Sequence, residues 1–260
     1  MDIKLLACDL DETLMSGPPI LPEVREFLHN LQKGGVEFVI NSGRCLEGIL
    51  NVLSESKFVC PEGYPQAIVS EHGVFIHYLE GRNYIEDSDW NEQKRAELAM
   101  CRQEIGWRSK SWEIFIEEKM GIAPHRKDIE QGVFRVGFSS NAEAENVRLA
   151  LHKDADFRYT AFLRNRNFLM ACLSTALKGL SLRRVADTLN IEPGQIVAVG
   201  DSHNDYDMLD GKYGFIPAAP SNAEDPVKEL VRGCNGYVAS HPCGSGVMEI
   251  VSSLRAHDEE

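Results

Sequence analysis

The sequence predicts an α/β fold, a parallel sheet wrapped by helices and interrupted by an inserted α+β segment, and three observations predict it. Short apolar runs of β type alternate with amphipathic helical stretches through residues 1–79. The same alternation resumes at about residue 174 and continues to residue 260. Between them, residues 80–173 read as antiparallel strands mixed with helices.

Residues 4–8 open the first strand. Residues 23–33 form a helix, with Val24, Phe27, Leu28 and Leu31 on one face, Pro22 at its start and Gly34 and Gly35 after it. A strand over 36–40, a second helix and a third strand complete the first half as a βαβ unit. The inserted segment is expected to hold helices at 91–105 and 142–152, with strands at 112–116, 133–138, 157–163 and 168–173. In the second half Leu182, Val185, Ala186 and Leu189 mark a helical face, and strands follow at 196–200, 213–218 and 236–239. Helices are expected at 207–210, 225–232 and from 246, and the acidic tail over 258–260 is expected to fray. This is a Rossmann-like arrangement, in which ligands bind beyond the carboxyl ends of the strands.

The 260 residues are 43% hydrophobic, enough for a substantial core, and divide as one core domain (1–79 and 174–260) with an insertion (80–173). Lys and Arg number 27 against 40 Asp and Glu, and the resulting charge of −13 argues against nucleic acid or an anionic membrane as partner. No basic-then-apolar leader opens the chain and no apolar run reaches membrane-spanning length, so the sequence reads as soluble and cytoplasmic. The seven cysteines are scattered without a C-x-x-C pair, which suits reduced thiols better than a disulfide framework or a zinc site. Cys8 and Cys172 lie in apolar runs as core fillers, and Cys45 lacks the histidine partner a nucleophilic thiol needs.

Chemistry concentrates after the first strand, in Asp9-Leu10-Asp11-Glu12-Thr13. Residues two apart on extended chain share a face, so Asp9 and Asp11 converge on one small ligand if something positive sits between them, as a divalent cation and a phosphate would. The competing reading is a solvated acidic loop. Three further segments supply context. Asn41-Ser42-Gly43-Arg44 follows the second strand, Lys178-Gly179 opens a helix, and Gly200-Asp201-Ser202-His203-Asn204-Asp205 follows strand 196–200.

Together, and in this order, the four segments resemble the signature motifs of the haloacid dehalogenase (HAD) superfamily of phosphohydrolases. The insertion between the second and third motifs resembles the C2-type cap of Cof-like sugar phosphatases and of sucrose-phosphate and mannosylphosphoglycerate phosphatases. The resemblance implies an HAD-like core with a C2 cap and an Mg²⁺-dependent phosphatase acting on a small phosphorylated metabolite, foremost a sugar phosphate. It implies Asp9 as nucleophile, forming an aspartyl-phosphate, and Asp11 as general acid and base. Mg²⁺ would be held by Asp9, the backbone carbonyl of Asp11 and Asp201. Ser42 and the Gly43 backbone would bind phosphoryl oxygens, and Lys178 would offset their charge. Thr13 would brace the turn, Asn204 and Asp205 would hold Lys178 and the metal's water shell, and Asn222 would lie near the phosphate or cap a helix. Arg44 is a candidate substrate contact, with an ion pair as the alternative.

Glu12 and Asn41 depart from the family's commoner glycine and threonine, and neither position supplies an essential group. His203 reads as a loop or cap-facing residue. Arg164, Arg166 and His125 are candidate leaving-group contacts, with surface charge the plainer role. Two other functions share the scaffold: a phosphomutase returning the phosphoryl group to sugar, and a noncatalytic binding module. Retention of Asp9, Asp11, Lys178 and Asp201 argues against the second. The identity of the ester and the oligomeric state are not encoded in these motifs.

Overall fold

Strand β1 (Leu5–Cys8) is buried along its whole length, and its side chains alternate between two cores. Leu6 and Cys8 point into one hydrophobic cluster, Leu5 and Ala7 into the other. The computed structural model describes residues 2–130, 132–153 and 157–256, so the expected fraying of 258–260 lies outside the described residues.

The chain forms two units. The first comprises Met1–Asn91, Leu177–Asp201 and Asp205–Glu260, and the second Glu92–Ala176 with Ser202–Asn204. The first unit continues through α1 (Pro22–Lys33), β2 (Glu37–Asn41), α2 (Leu46–Glu55), β3 (Ala67–Ser70), β4 (Phe75–Glu80) and β5 (Asn83–Glu86). Helix α3 (Ser88–Ile114) starts in it. The second unit adds β6 (Arg126–Glu130), β7 (Val133–Gly137), α4 (Asn141–Lys153), β8 (Thr160–Asn165) and β9 (Phe168–Leu173). The chain then returns to the first unit through α5 (Lys178–Leu189), β10 (Ile196–Val199), α6 (Tyr206–Leu209), β11 (Ile216–Ala219), α7 (Asp225–Gly233), β12 (Tyr237–Val238) and α8 (Cys243–Ala256).

The first unit's eight strands run in the order β12-β11-β10-β1-β2-β3-β4-β5. Pairings from β12 to β3 are parallel, and β4 and β5 add an antiparallel edge. Helices cover both faces. Val24, Leu28, Ile49, Leu53, Val247 and Ile250 from α1, α2 and α8 fill one cluster. Leu182, Val185, Met208, Leu209, Val227 and Val231 from α5, α6 and α7 fill the other. The first unit reaches Asn91, beyond the sequence-derived boundary at 79, because the β4–β5 hairpin pairs with β3 and extends this sheet, and it restarts at Leu177 where the sequence suggested 174.

The second unit has a four-stranded antiparallel sheet, ordered β6-β7-β9-β8. The strand expected at 112–116 is helical instead, the end of α3 followed by a π-helical turn over Phe115–Lys119. Cys101, Ile105, Trp112 and Ile116 are buried at helical spacing, so the apolar run is one helix face and not a strand. Trp112 meets Phe134, Phe157 and Phe162 edge-on, with ring centroids 5.1, 5.5 and 4.9 Å away. Among the described residues, no helix is long and apolar enough to cross a membrane.

Candidate active site

Because β1, β2 and β10 are parallel neighbours, their carboxyl ends lie side by side. Asp9 follows β1, Ser42 follows β2 and Asp201 follows β10 by two residues, and all three are buried. The Asp9 amide donates to the Val199 carbonyl at 2.9 Å, fixing the exit of β1 against β10.

Lys178, the first residue of α5, places its fully buried ammonium between two carboxylates, 2.6 Å from Asp205 Oδ1 and 2.8 Å from Asp9 Oδ1. Burial works against its charge, but Asp205 and Asp9 outweigh burial and hold the Lys178 pKa well above the ordinary lysine value. Burial pushes Asp9 the other way for a carboxyl, up to about 7, with Lys178 opposing the rise and Asp205 adding to it. The second oxygen of Asp205 accepts the Asp201 amide at 3.0 Å, and the Thr13 hydroxyl donates to Asp201 Oδ1 at 3.2 Å.

Asp9, Asp201 and Asp205 each offer a carboxylate oxygen within 4.8 Å of the others. Three buried, hard oxygen donors suit a small hard dication, so the residues present fit Mg²⁺.

Two loops frame this cluster. In the first, the Arg44 guanidinium grips Asp11 by two parallel bonds, Nε to Oδ2 and Nη2 to Oδ1, both 2.7 Å. Arg44 is therefore the ion-pair partner of Asp11. Glu12 has a left-handed φ of 59°, and Asn222 pins it: Asn222 Nδ2 donates to the Glu12 carbonyl at 2.8 Å while its Oδ1 accepts the Cys243 amide at 2.8 Å. Asn222 thus ties the Asp11–Glu12 turn to the start of α8.

The second loop is Ser42-Gly43-Arg44. The Ser42 amide donates to the Val69 carbonyl at 2.9 Å and the Arg44 amide to Ser42 Oγ at 3.2 Å. Glu71 and His72 are consecutive left-handed residues, φ 51° and 60°, each costing about 1 kcal/mol or more, although histidine is among the side chains that tolerate this region best. Their amides donate back to the loop, Glu71 to the Arg44 carbonyl at 2.9 Å and His72 to the Ser42 carbonyl at 3.1 Å.

Sequence reasoning missed two residues that seat α5. Asn41 Nδ2 donates to the Lys178 carbonyl at 2.9 Å, so this position is not the idle departure its sequence suggests. Asp207 Oδ2 accepts the Gly179 amide at 2.8 Å, and burial raises the Asp207 carboxyl to about 6. The signal available was the acidic residue two positions beyond Asp205, but nothing local ties it to a helix 28 residues earlier.

Asn204 and His203 group with the second unit. The Asn204 side-chain oxygen is buried and has no hydrogen-bond partner, and His203 Nδ1 accepts the Arg164 amide at 3.4 Å. Arg164 is buried and bonded to Glu145 Oε2 at 3.1 Å and to the Arg166 carbonyl at 2.9 Å, which corrects the expectation of a surface charge. His125 packs against Phe168, centroids 6.2 Å apart. All seven cysteines are free. Burial raises the Cys8 thiol well above its ordinary value, as suits an inert filler; Cys172 is only half-buried, with its thiol raised to about 12, and Cys45 is exposed at the start of α2.

Parallel strands ending in Asp9, Ser42 and Asp201, with a buried lysine bridging two carboxylates, are the architecture of an HAD-like phosphatase, a phosphoric monoester hydrolase. The particular family follows from the chain itself: the model of the family described as sucrose-6F-phosphate phosphohydrolase matches residues 3–254, and the chain belongs to that family. It is 25% identical over 255 residues to a phosphoglycolate phosphatase of Methanothermobacter thermautotrophicus, covering 96% of this chain and 97% of that protein. It is 23% identical over 279 residues to the phosphatase YwpJ of Bacillus subtilis, covering 88% and 93%. The sucrose-phosphatase of Synechocystis sp. PCC6803, solved with sucrose and phosphate, shares the fold at a TM-score of 0.70 and 15% identity, covering 98% of this chain and 99% of that one.

Proposed function

We propose that this protein is an Mg²⁺-dependent phosphatase that hydrolyses a small phosphate monoester, a sugar phosphate first among them, through an aspartyl-phosphate on Asp9. The observation that carries the reading is the buried cluster in which Lys178 lies 2.8 Å from Asp9 and 2.6 Å from Asp205, with Asp201 beside them. Family membership supports the same chemistry, and the names of the sucrose-phosphatase and the phosphoglycolate phosphatase support a small polar ester.

In this reading the Asp9 carboxylate attacks phosphorus and the ester oxygen leaves with a proton from Asp11. Asp11 then takes a proton from the water that attacks the aspartyl-phosphate, releasing inorganic phosphate and restoring Asp9. The Ser42 hydroxyl and the Gly43 amide donate to phosphoryl oxygens, and the Lys178 ammonium offsets charge on Asp9 and on the phosphoryl group. Asp9, the Asp11 carbonyl and Asp201 would hold Mg²⁺, with Asp205 completing the acidic set, and the bound ion would neutralise phosphoryl charge. Arg44 fixes the direction of the Asp11 carboxyl group. Free thiols suit a reducing compartment and support a cytoplasmic location.

The test is release of inorganic phosphate from a panel of sugar phosphates, two- and three-carbon phosphoacids, nucleotides and pyridoxal phosphate, with Mg²⁺ and with chelator. Turnover on one or more small esters, lost in chelator and in Asp9→Asn, is the expected result. Full turnover by metal-stripped protein, or by Asp9→Asn, would refute the mechanism.

A further inference from the structure

The space that a side chain at Gly43 would need is taken by the ring of His72. A Cβ on Gly43 would overlap that ring, lying 2.6 Å from Nε2 and 2.9 Å from Nδ1, closer than real Cβ contacts come. The imidazole thus occupies the space above the Gly43 backbone that any other residue at 43 would fill. It is delivered there by the two successive left-handed residues, Glu71 and His72, whose amides bond to the Arg44 and Ser42 carbonyls. Ser42, Gly43 and Arg44 are consequently held by three backbone bonds, from Ser42 to Val69, Glu71 to Arg44 and His72 to Ser42, and by one aromatic ring. Strained backbone persists only where its surroundings over-determine it, and such outliers gather at binding and catalytic sites.

We propose that His72 is a positioning residue for phosphate: its ring braces Gly43 so that the Gly43 amide and the Ser42 hydroxyl are set in advance for phosphoryl oxygens. The inference rests on the phosphate-binding role proposed for the Ser42–Arg44 loop. It adds a residue that touches the loop and not the substrate. Pre-set donors bind an anion without the cost of ordering the loop, and removing the brace returns that cost to every phosphate-binding step.

The test separates bracing from stability. His72→Asn keeps a side chain that tolerates a left-handed φ but removes the ring, and His72→Gly removes both ring and strain. Calorimetric titration of inorganic phosphate into the Mg²⁺-loaded protein should show the dissociation constant rising about tenfold in both variants. Where an ester is turned over, its KM should rise with it while kcat changes less. Melting temperatures should stay within about 3 °C of wild type. Gly43→Ala should lower the melting temperature by about 3–10 °C through overlap with the ring, and adding His72→Gly should recover most of that loss.

An unchanged phosphate constant in both variants would overturn the proposal, as would an equal cost of Gly43→Ala with and without His72. Loss of phosphate binding that merely tracks falling melting temperature would assign His72 a structural role and overturn it too. Wild-type protein that binds phosphate but hydrolyses no ester would sink the phosphatase reading and leave this one standing. Wild-type protein that binds no phosphate would sink both.

Discussion

Replacing Lys178 with methionine isolates the buried charge balance of the site. The side chain is similar in length and apolar, so packing changes little, but Asp9 and Asp205 lose an ammonium at 2.8 and 2.6 Å. Removing one partner of a buried ion pair costs about 3–5 kcal/mol, because the remaining charge has no compensation. At about 2–4 °C per kcal/mol for a unit of this size, the metal-free variant should melt about 6–20 °C lower near pH 8. The pH dependence carries the sharper test. Burial already raises Asp9 to about 7, and losing Lys178, the largest opposing influence, must raise it further. A carboxyl whose folded pKa lies above its unfolded value is destabilising once ionised, so the stability it retains below the unfolded value is lost as pH rises through the folded one. The gap between wild type and Lys178→Met should therefore shrink as pH falls from about 8 through 7, because Asp9 takes up its proton in the variant at a higher pH than in wild type. Thermal melts followed by circular dichroism across that range, in chelator, would measure it. A gap that is small at the alkaline end, or that widens on acidification, would refute the claim that Lys178 balances buried carboxylates.

Arg44→Lys keeps the charge but cannot form the two-bond grip on Asp11, so kcat should fall about tenfold with KM nearly unchanged; an intact kcat would show that the grip does not orient the acid. Gly179→Ala would set a Cβ 2.6 Å from the Asp207 carbonyl carbon and from Tyr213 Cε2, so steady-state assays should show turnover collapsing as the start of α5 shifts and carries Lys178 with it. Burial pushes the Asp87 carboxyl up, but the Arg184 grip at 2.8 and 3.0 Å, joined by the Trp90 amide and by Tyr78, holds it below its ordinary value. Its stabilisation is present above the unfolded pKa and lost as pH falls through the lowered one, so Arg184→Met should lower the melting temperature by about 2–4 °C near pH 6 and by less near pH 3.

The parts of the fold that could be read from sequence are those whose burial is written in local periodicity. Helix α1 buries Val24, Leu28 and Leu31 on one face and has Pro22 and Gly34 at its two ends, so pattern and punctuation agree. Of the strands that escaped notice, β5 and β6 are sheet edges. In β6 nearly every residue is exposed, and β5 is similarly exposed, so neither shows the alternation that a buried face imposes. The stretch at 112–116 failed for the opposite reason. In sequence Trp112, Ile114 and Ile116 lie two apart and fit one face of a strand, whereas the structure buries Trp112 and Ile116 and exposes Ile114, the i, i+4 spacing of a helix that Cys101 and Ile105 continue.

The same distinction explains which parts of the site were visible. Asp9 and Ser42 sit directly after apolar strands and Asp201 one residue further on, so the chain announces them: charge or a hydroxyl just beyond a buried run has to face the sheet's end. Asn41, Asp207 and His72 carry no such mark. Asn41 acts on the carbonyl of a residue 137 positions away, Asp207 on the amide of Gly179, and His72 on a glycine that offers no side chain to pair with. Each works through backbone, and backbone has no spelling in sequence. A reading of motifs therefore finds the groups proposed to touch the phosphoryl centre and overlooks the ones that would aim them, although in that proposal aiming decides whether a buried lysine and a pair of donors meet the phosphoryl oxygens or miss them by an ångström.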